Sequence, residues 1–499
     1  MRFPRAIVAC ALVAVLAGCG ASSSGRSGGP SAPTVLTLTN NDGGGTLAIA
    51  PAVEWFVSRV SEVSDGHLTV RFEPGEWATD GREVGAVAAG KADLGWVGTR
   101  AFDLLDVDTL RALHAPLLID SYALQAAVLA DPASAQALSA IEVLGVEPLA
   151  LLGDHLMFPA SAQGPLRSPA DWDEAGMWLL ESEAYADAVR ALGATPLHTF
   201  ATGGDIRLML QTGEADGLVS MWNYYTLGAD YQHAPYTVPN VVFGPRTLAL
   251  FANPASLATL SDDERAWLAE AAADATRWSV AHVAERDAGY TADACAHGAS
   301  IAWASDAELA GLRELAEPLY ARLAGDPLTA PLYASIDRLA AVIEPESPLV
   351  VPDGCAFDDS APGNHAAEPL LGPGPPGDFP VGRYRYSVAA SDVVRGQEVL
   401  ALGDPIDFTV TWTIGAGEWQ LVARPDDGHQ ASVTCRGWFA VDADRVQFTL
   451  QLEPEVGHCL PLDWSARWQV DASGAITWLG PVPGVLTPHF RDAVWHRID

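Results

Sequence analysis

The residues most plainly set up for chemistry are sulfurs. Leu16-Ala17-Gly18-Cys19 closes a 12-residue apolar run, Ala6 to Ala17, that begins after Arg2 and Arg5. In that order of basic start, apolar stretch and small residues, an exported bacterial chain is cut before a cysteine whose thiol then carries lipid. Twelve residues are too few to cross a hydrocarbon core of ~30 Å, so residues 1–18 read as a lipoprotein signal and not as a membrane span. Residues 19–33, rich in Ser, Gly and Pro, read as a tether. The expected location is therefore extracytoplasmic, with the chain anchored through lipid on Cys19 to the outer face of the cytoplasmic membrane. An oxidising exterior turns the later cysteines toward disulfides. Cys295, Cys355, Cys435 and Cys459 allow three pairings, of which Cys295–Cys355 with Cys435–Cys459 is the one expected.

Other chemistry is poorly supplied. There is no C-x-x-C and no helical His pair to hold a metal, and no G-x-S-x-G, H-E-x-x-H or P-loop pattern. Gly372, Gly374 and Gly377 fit G-x-G-x-x-G, but Pro373, Pro375 and Pro376 forbid the helix that a dinucleotide site requires. No cofactor and no enzymatic activity are expected. With 28 basic against 63 acidic residues the net charge is −35, which disfavours nucleic acid as a partner. Apolar residues make up 49% and tryptophans number 16, enough for large cores, and the length suits two or three domains.

The elements that would position these residues alternate between short β-rich runs and helical stretches from Thr34 to about Ile343. Thr34 to Thr39 and His67 to Phe72 alternate as strands, and between them Val53, Phe56, Val57 and Val60 recur at helical spacing. Strands are also expected at Asp93 to Val97, Val146 to Leu152, Met177 to Leu180 and Gly217 to Ser220. Helices are expected near Arg82 to Ala89, Leu124 to Leu129, Glu183 to Leu192 and Ile206 to Gln211. Ser261-Asp262-Asp263-Glu264 is an N-cap with an acidic first turn, opening a proline-free stretch to about Ala294 that reads as one long helix spanning two lobes. Two more helices follow, Asp306 to Leu323 and Leu328 to Val342. The two-lobe domain is thus expected over 34–344, a Pro/Gly-rich linker over 345–380, and an all-β, barrel-like domain over 381–499 whose strands are separated by turns such as Asp426-Asp427-Gly428.

Several segments, in fixed order, resemble the solute-binding proteins of tripartite ATP-independent periplasmic (TRAP) transporters, the C4-dicarboxylate-binding type. They are Val60-Ser61-Glu62-Val63-Ser64-Asp65-Gly66-His67-Leu68, Ala89-Gly90-Lys91-Ala92-Asp93-Leu94-Gly95, Ala191-Leu192-Gly193-Ala194-Thr195-Pro196 and Leu210-Gln211-Thr212-Gly213-Glu214-Ala215-Asp216-Gly217. The resemblance covers about 310 residues and implies an α/β, two-lobed, hinged periplasmic-binding-protein fold of type II. It also implies a small organic solute as ligand and membrane permease subunits as partners. It breaks at two places: the strand arginine that grips a ligand carboxylate in most members falls at Leu180, and a hinge-strand arginine of many members falls at His155. The substitutes considered are Arg100, which follows the Leu94 to Thr99 strand, and Arg246 in Gly244-Pro245-Arg246. Trp96, His155, Met221, Trp222, Asn223 and Tyr224 follow strands expected to meet at the cleft, and aromatic walls with few polar anchors suit an amphipathic or partly apolar solute, so the ligand is expected to be an organic acid or a partly apolar amphipathic metabolite. A looser similarity links the last 120 residues to small lipocalin-like barrels. That appendage motivates an alternative, a ligand-binding sensor that signals through its C-terminal domain; a secreted enzyme of the β domain is the third reading.

Overall fold

The computed structural model of the chain describes residues 33–40, 50–197, 206–358, 379–388, 408–425, 433–442, 445–450, 464–479 and 494–499, apart from 74, 76–78, 207, 208, 211, 212, 345–348, 350, 353 and 416. The expected signal, Cys19, the tether up to residue 32, the turn Asp426-Asp427-Gly428, Cys459 and most of the expected linker lie outside the described residues.

The first lobe is built on a five-stranded sheet ordered β2-β1-β3-β10-β4, with β1 at Thr34–Thr39, β2 at Leu68–Phe72, β3 at Leu94–Gly98, β4 at Glu147–Leu152 and β10 at Leu248–Ala252. β1 runs parallel to β2 and β3, whereas β10 enters antiparallel between β3 and β4. Helix Pro51–Val63 covers one face, and its Val53, Phe56 and Val60 are fully buried, as their i, i+3, i+7 spacing demands. Each such side chain contributes roughly 1.5–3 kcal/mol.

The second lobe holds a six-stranded sheet ordered β11-β9-β5-β8-β6-β7. Its strands are β5 at Phe158–Ser161, β6 at Gly176–Trp178, β7 at Thr195–Leu197, β8 at Gly217–Ser220, β9 at Tyr236–Thr237 and β11 at Ser300–Ile301. The family-like motifs act here as splices. Asp93 Oδ2 accepts from Thr37 N and Oγ1 at 2.7 and 2.8 Å, tying β1 to β3, and Asp216 Oδ2 accepts from Gly176 N at 2.8 Å, tying β8 to β6.

The chain crosses between lobes from β4 to β5 and from β9 to β10, and a 35-residue helix, Asp262–Ala296, packs on both. Ser261 caps its start as expected, and with Glu264 it forms a capping box. At ~1.5 Å per residue the helix is about 50 Å long, more than one lobe can cover. Cys295 near its end is bridged to Cys355, with Cα atoms 5.5 Å apart. Cys355 O accepts from Ile301 N at 2.8 Å and Phe357 N donates to Ile301 O at 2.7 Å. The run that composition marks as linker is thus fastened to β11 at this point.

The C-terminal strands are β12 at Gly382–Val388, β13 at Phe408–Ile414, β14 at Glu418–Pro425, β15 at Val433–Asp442, β16 at Arg445–Leu450, β17 at Trp464–Val470, β18 at Ile476–Leu479 and β19 at His496–Arg497. They form one antiparallel sheet, ordered β18-β17-β16-β15-β14-β13-β12-β19. Ile476 and Trp495 exchange two backbone hydrogen bonds of 3.0 and 2.9 Å, so the ladder returns on itself. Its inner positions are filled by rings, among them Trp412 against Trp495 at 4.6 Å and Phe439 against Phe448 at 5.6 Å. Cys435 is buried in that core and disulfide-bonded.

Candidate hinge-cleft binding site

Both crossings carry a glycine where the backbones come close. A Cβ on Gly153 would meet Gln125 Oε1 and Val280 Cγ1 at 2.7 Å, and one on Gly244, whose φ is +79°, would collide with the carbonyl oxygen of Leu113. The crossings pair with each other: Met157 N donates to Gly244 O at 2.9 Å, Phe243 N to Met157 O at 2.8 Å and Arg246 N to His155 O at 2.9 Å. The long helix holds the first crossing through Ser279 Oγ, which accepts from Gly153 N at 2.8 Å.

This pairing sets Asp154 and His155 beside Arg246. The Arg246 side chain is 5% exposed, and its Nη1 donates to Asp154 Oδ2 at 3.1 Å. Its guanidinium carbon lies 5.1 Å from the ring centre of Tyr224 and 5.9 Å from that of Trp96, a cation held between two aromatic faces. Trp96 Nε1 is buried and has no hydrogen-bond partner among the described residues, so a donor stands ready next to the cation.

Behind this box lies a buried polar chain. His155 Nδ1 meets Asp287 Oδ1, and Tyr122 donates to Asp287 Oδ2. Burial pulls the His155 imidazole down to about 4 despite the opposing pull of Asp154, and burial pushes the Asp287 carboxyl well above its usual range. Both shifts favour an uncharged pair at neutral pH.

At the outer edge the two lobes touch. Arg100, in the turn Thr99–Leu105 after β3, donates to Asp80 Oδ2 at 2.7 Å in its own lobe and to Glu181 O at 2.8 Å in the other. Asp103 Oδ2 accepts from Ser182 Oγ at 2.7 Å and from Ala184 N at 2.8 Å, at the start of helix Glu183–Ala191. Burial raises the Asp103 carboxyl, against the lowering effect of these bonds.

Of the residues singled out from the sequence, Trp96, Tyr224 and Arg246 are brought together, with His155 one residue from Asp154. Arg100 lies at the closing edge. Leu180 packs partly buried against the second lobe's core, Met221 and Trp222 are turned into it, with Trp222 4.4 Å from Phe158, and the Asn223 side chain accepts from Tyr224 N at 2.8 Å. Asp154, Asp287, Tyr122 and Asp103 were missed. One signal was present: the stripe Ala275, Ser279, Val283, Asp287, Thr291 is buried along one face of the long helix, and a lone Asp in such a stripe must meet a partner.

Two sheets joined by paired crossings and one long helix, with a cation boxed at the crossing, define a hinged two-lobe binding protein. The chain belongs to the bacterial extracellular solute-binding proteins of family 7, whose description matches residues 47–326. That is a family of binding proteins and not of enzymes. Solved structures agree. A TRAP periplasmic solute-binding protein from Ochrobactrum anthropi, with its C-terminus bound in its ligand-binding pocket, is 18% identical with a TM-score of 0.54, over 62% of this chain and 94% of that one. One from Bradyrhizobium sp. BTAi1, in complex with α/β-D-galacturonate, is 19% identical with a TM-score of 0.53, over 62% and 99%. The sugar-acid-binding protein of Advenella mimigardefordensis, in complex with galactonate, is 18% identical with a TM-score of 0.54, over 62% and 99%. At such identities the likeness establishes the fold. No curated protein matches the chain. No helix among the described residues is long and apolar enough to cross a membrane.

Proposed function

We propose that this chain, lipid-anchored on Cys19, captures a small organic acid between its lobes and delivers it to the permease subunits of a TRAP-type transporter. The observation that carries the reading is Arg246, a buried cation at the hinge walled by Trp96 and Tyr224. Asp154 orients the guanidinium, the solute's carboxylate docks on it, and the aromatic faces take the apolar side of the solute. Charge-assisted hydrogen bonds contribute roughly 1.5–3 kcal/mol each, so one well-placed arginine can replace those lacking at Leu180 and His155. The sugar acids held by two of the structural relatives, galacturonate and galactonate, have this chemistry and are the first solutes to test. Arg100, held between Asp80 and Glu181, serves closure in this reading. The test is calorimetric titration of uronic and aldonic acids, with Arg246→Gln as control; membrane fractionation of Cys19→Ala tests the anchor.

One observation favours a second reading. The structural relatives span 62% of the chain, and the closed antiparallel sheet is a large addition beyond a two-lobe domain. In a sensor, that domain would receive the signal of closure. Loss of solute uptake on deleting 381–499, with solute affinity and lipidation kept, would leave transport through this domain as the reading; unchanged uptake with a lost transcriptional response would favour sensing.

A further inference from the structure

Polar groups from four segments line up from helix Tyr122–Ala130 and the long helix to the boxed arginine. Tyr122 donates to Asp287 Oδ2, Asp287 Oδ1 meets His155 Nδ1, His155 Nε2 faces Asp154 Oδ1 at 3.4 Å, and Asp154 Oδ2 accepts from Arg246 Nη1 at 3.1 Å. The side chains of His155, Asp287 and Asp154 are 0, 2 and 4% exposed, so water cannot complete their bonding. A phenol in this place has one proton to give, and it goes to Oδ2. Between Oδ1 and Nδ1 a proton must lie, since two bare acceptors repel; with a neutral ring protonated at Nε2, that proton belongs to Asp287 Oδ1, which donates it to Nδ1. The remaining choice concerns Nε2, which lies 3.4 Å from Asp154 Oδ1 and makes no hydrogen bond among the described residues. A bare lone pair there would face a carboxylate inside a low-dielectric site, whereas an Nε2–H presents a donor to it.

We propose that Tyr122, Asp287 and His155 are positioning residues that keep a proton on His155 Nε2 facing Asp154. Asp154 then divides its charge between the imidazole and the guanidinium, and Arg246 retains the positive potential that an incoming carboxylate requires. The proposal rests on the reading of Arg246 as the solute's anchor. The charged and titratable groups around His155 are Asp154 on its own crossing, Arg246 on the second crossing, Arg286, Asp287 and Tyr290 on the long helix, and Tyr122 on helix Tyr122–Ala130. Burial opposes a second proton on the ring and outweighs the pull of Asp154, and Arg286 and Arg246 act in the same direction as burial. The imidazole therefore stays neutral, with one fixed tautomer.

The test is long-range proton–nitrogen correlation on the full chain labelled with 15N-histidine, the His155 signals being assigned by their loss in His155→Gln. Expected is the neutral Nε2–H tautomer, unchanged from about pH 5.5 to 8. An Nδ1–H tautomer, or titration near the ordinary histidine value of about 6.5, would overturn the proposal without any variant. D-galacturonate titration supplies the second readout. His155→Phe is expected to lower affinity about tenfold, while His155→Gln, whose amide can donate to Asp154, stays within about threefold. Asp287→Asn, able to donate to Nδ1, is expected to keep both tautomer and affinity. Wild-type affinity in His155→Phe would contradict the relay. Arg246→Gln separates the two claims: unchanged affinity there defeats the anchor even with the tautomer as stated, and a wrong tautomer defeats the relay with Arg246 intact.

Discussion

Asp103 of the first lobe accepts a hydrogen bond from Ser182 of the second at 2.7 Å, and so completes from across the cleft the capping of a helix that Ser182 itself begins. With the Arg100 contact to Glu181 O at 2.8 Å, this edge holds the lobes closed. Asp103→Ala removes the acceptor for both Ser182 Oγ and Ala184 N. N-cap losses cost about 0.5–2 kcal/mol, so the closed population should fall severalfold and solute affinity with it. Small-angle scattering of the unliganded protein should show a larger radius of gyration for Asp103→Ala and Arg100→Ala; identical curves and affinities would mean the edge contacts are incidental.

His114 should make the protein acid-sensitive. It is buried against Thr99, 3.2 Å from its Oγ1, and Tyr185, with ring centres 5.0 Å apart; burial, helped by Arg100 and Arg111, lowers it to about 3. The unfolded chain binds this proton near pH 6.5 and the folded one does not. Stability from His114 is therefore complete above 6.5 and is lost as pH falls from 6.5 toward 3. Denaturant titrations at pH 7.5 and 5 should show a smaller acid loss in His114→Leu than in wild type. Equal losses would place the acid sensitivity elsewhere.

The Cys295–Cys355 bridge spans a sequence separation of 60 and fastens the end of the long helix to the segment after Ile343. The loop-entropy relation puts its contribution at about 4 kcal/mol. Replacing both cysteines by serine should lower the melting temperature of the two-lobe part by several degrees. A melting curve unmoved by the double replacement would show that the native packing already fixes this segment.

Much of this was legible in local pattern. The Val53, Phe56, Val60 stripe, the Ser261 to Glu264 cap and the alternating strands of the last domain each state their structure within a dozen residues, so local physics decides them. β5 was not legible: Phe158-Pro159-Ala160-Ser161 carries a proline and no alternation, and it is a strand because β8 and β9 pair with it on both sides. Two-residue strands such as β9 and β11 have no period to read. At the site, Arg246 and its rings could be named from strand ends, but their partners could not. Arg100 meets residues 20 and 81 positions away, and His155 meets one 132 away, distances at which only the folded chain decides who faces whom.

The central claim, an organic acid clasped at the hinge by Arg246, is tested most directly by titrating D-galacturonate and D-galactonate into the wild type and Arg246→Gln. The account predicts one-to-one binding of at least one acid by the wild type, weakened about a hundredfold in the variant, as expected for loss of two charge-assisted hydrogen bonds. Equal affinity of wild type and variant for the acid that binds, or binding only of uncharged solutes, would contradict it.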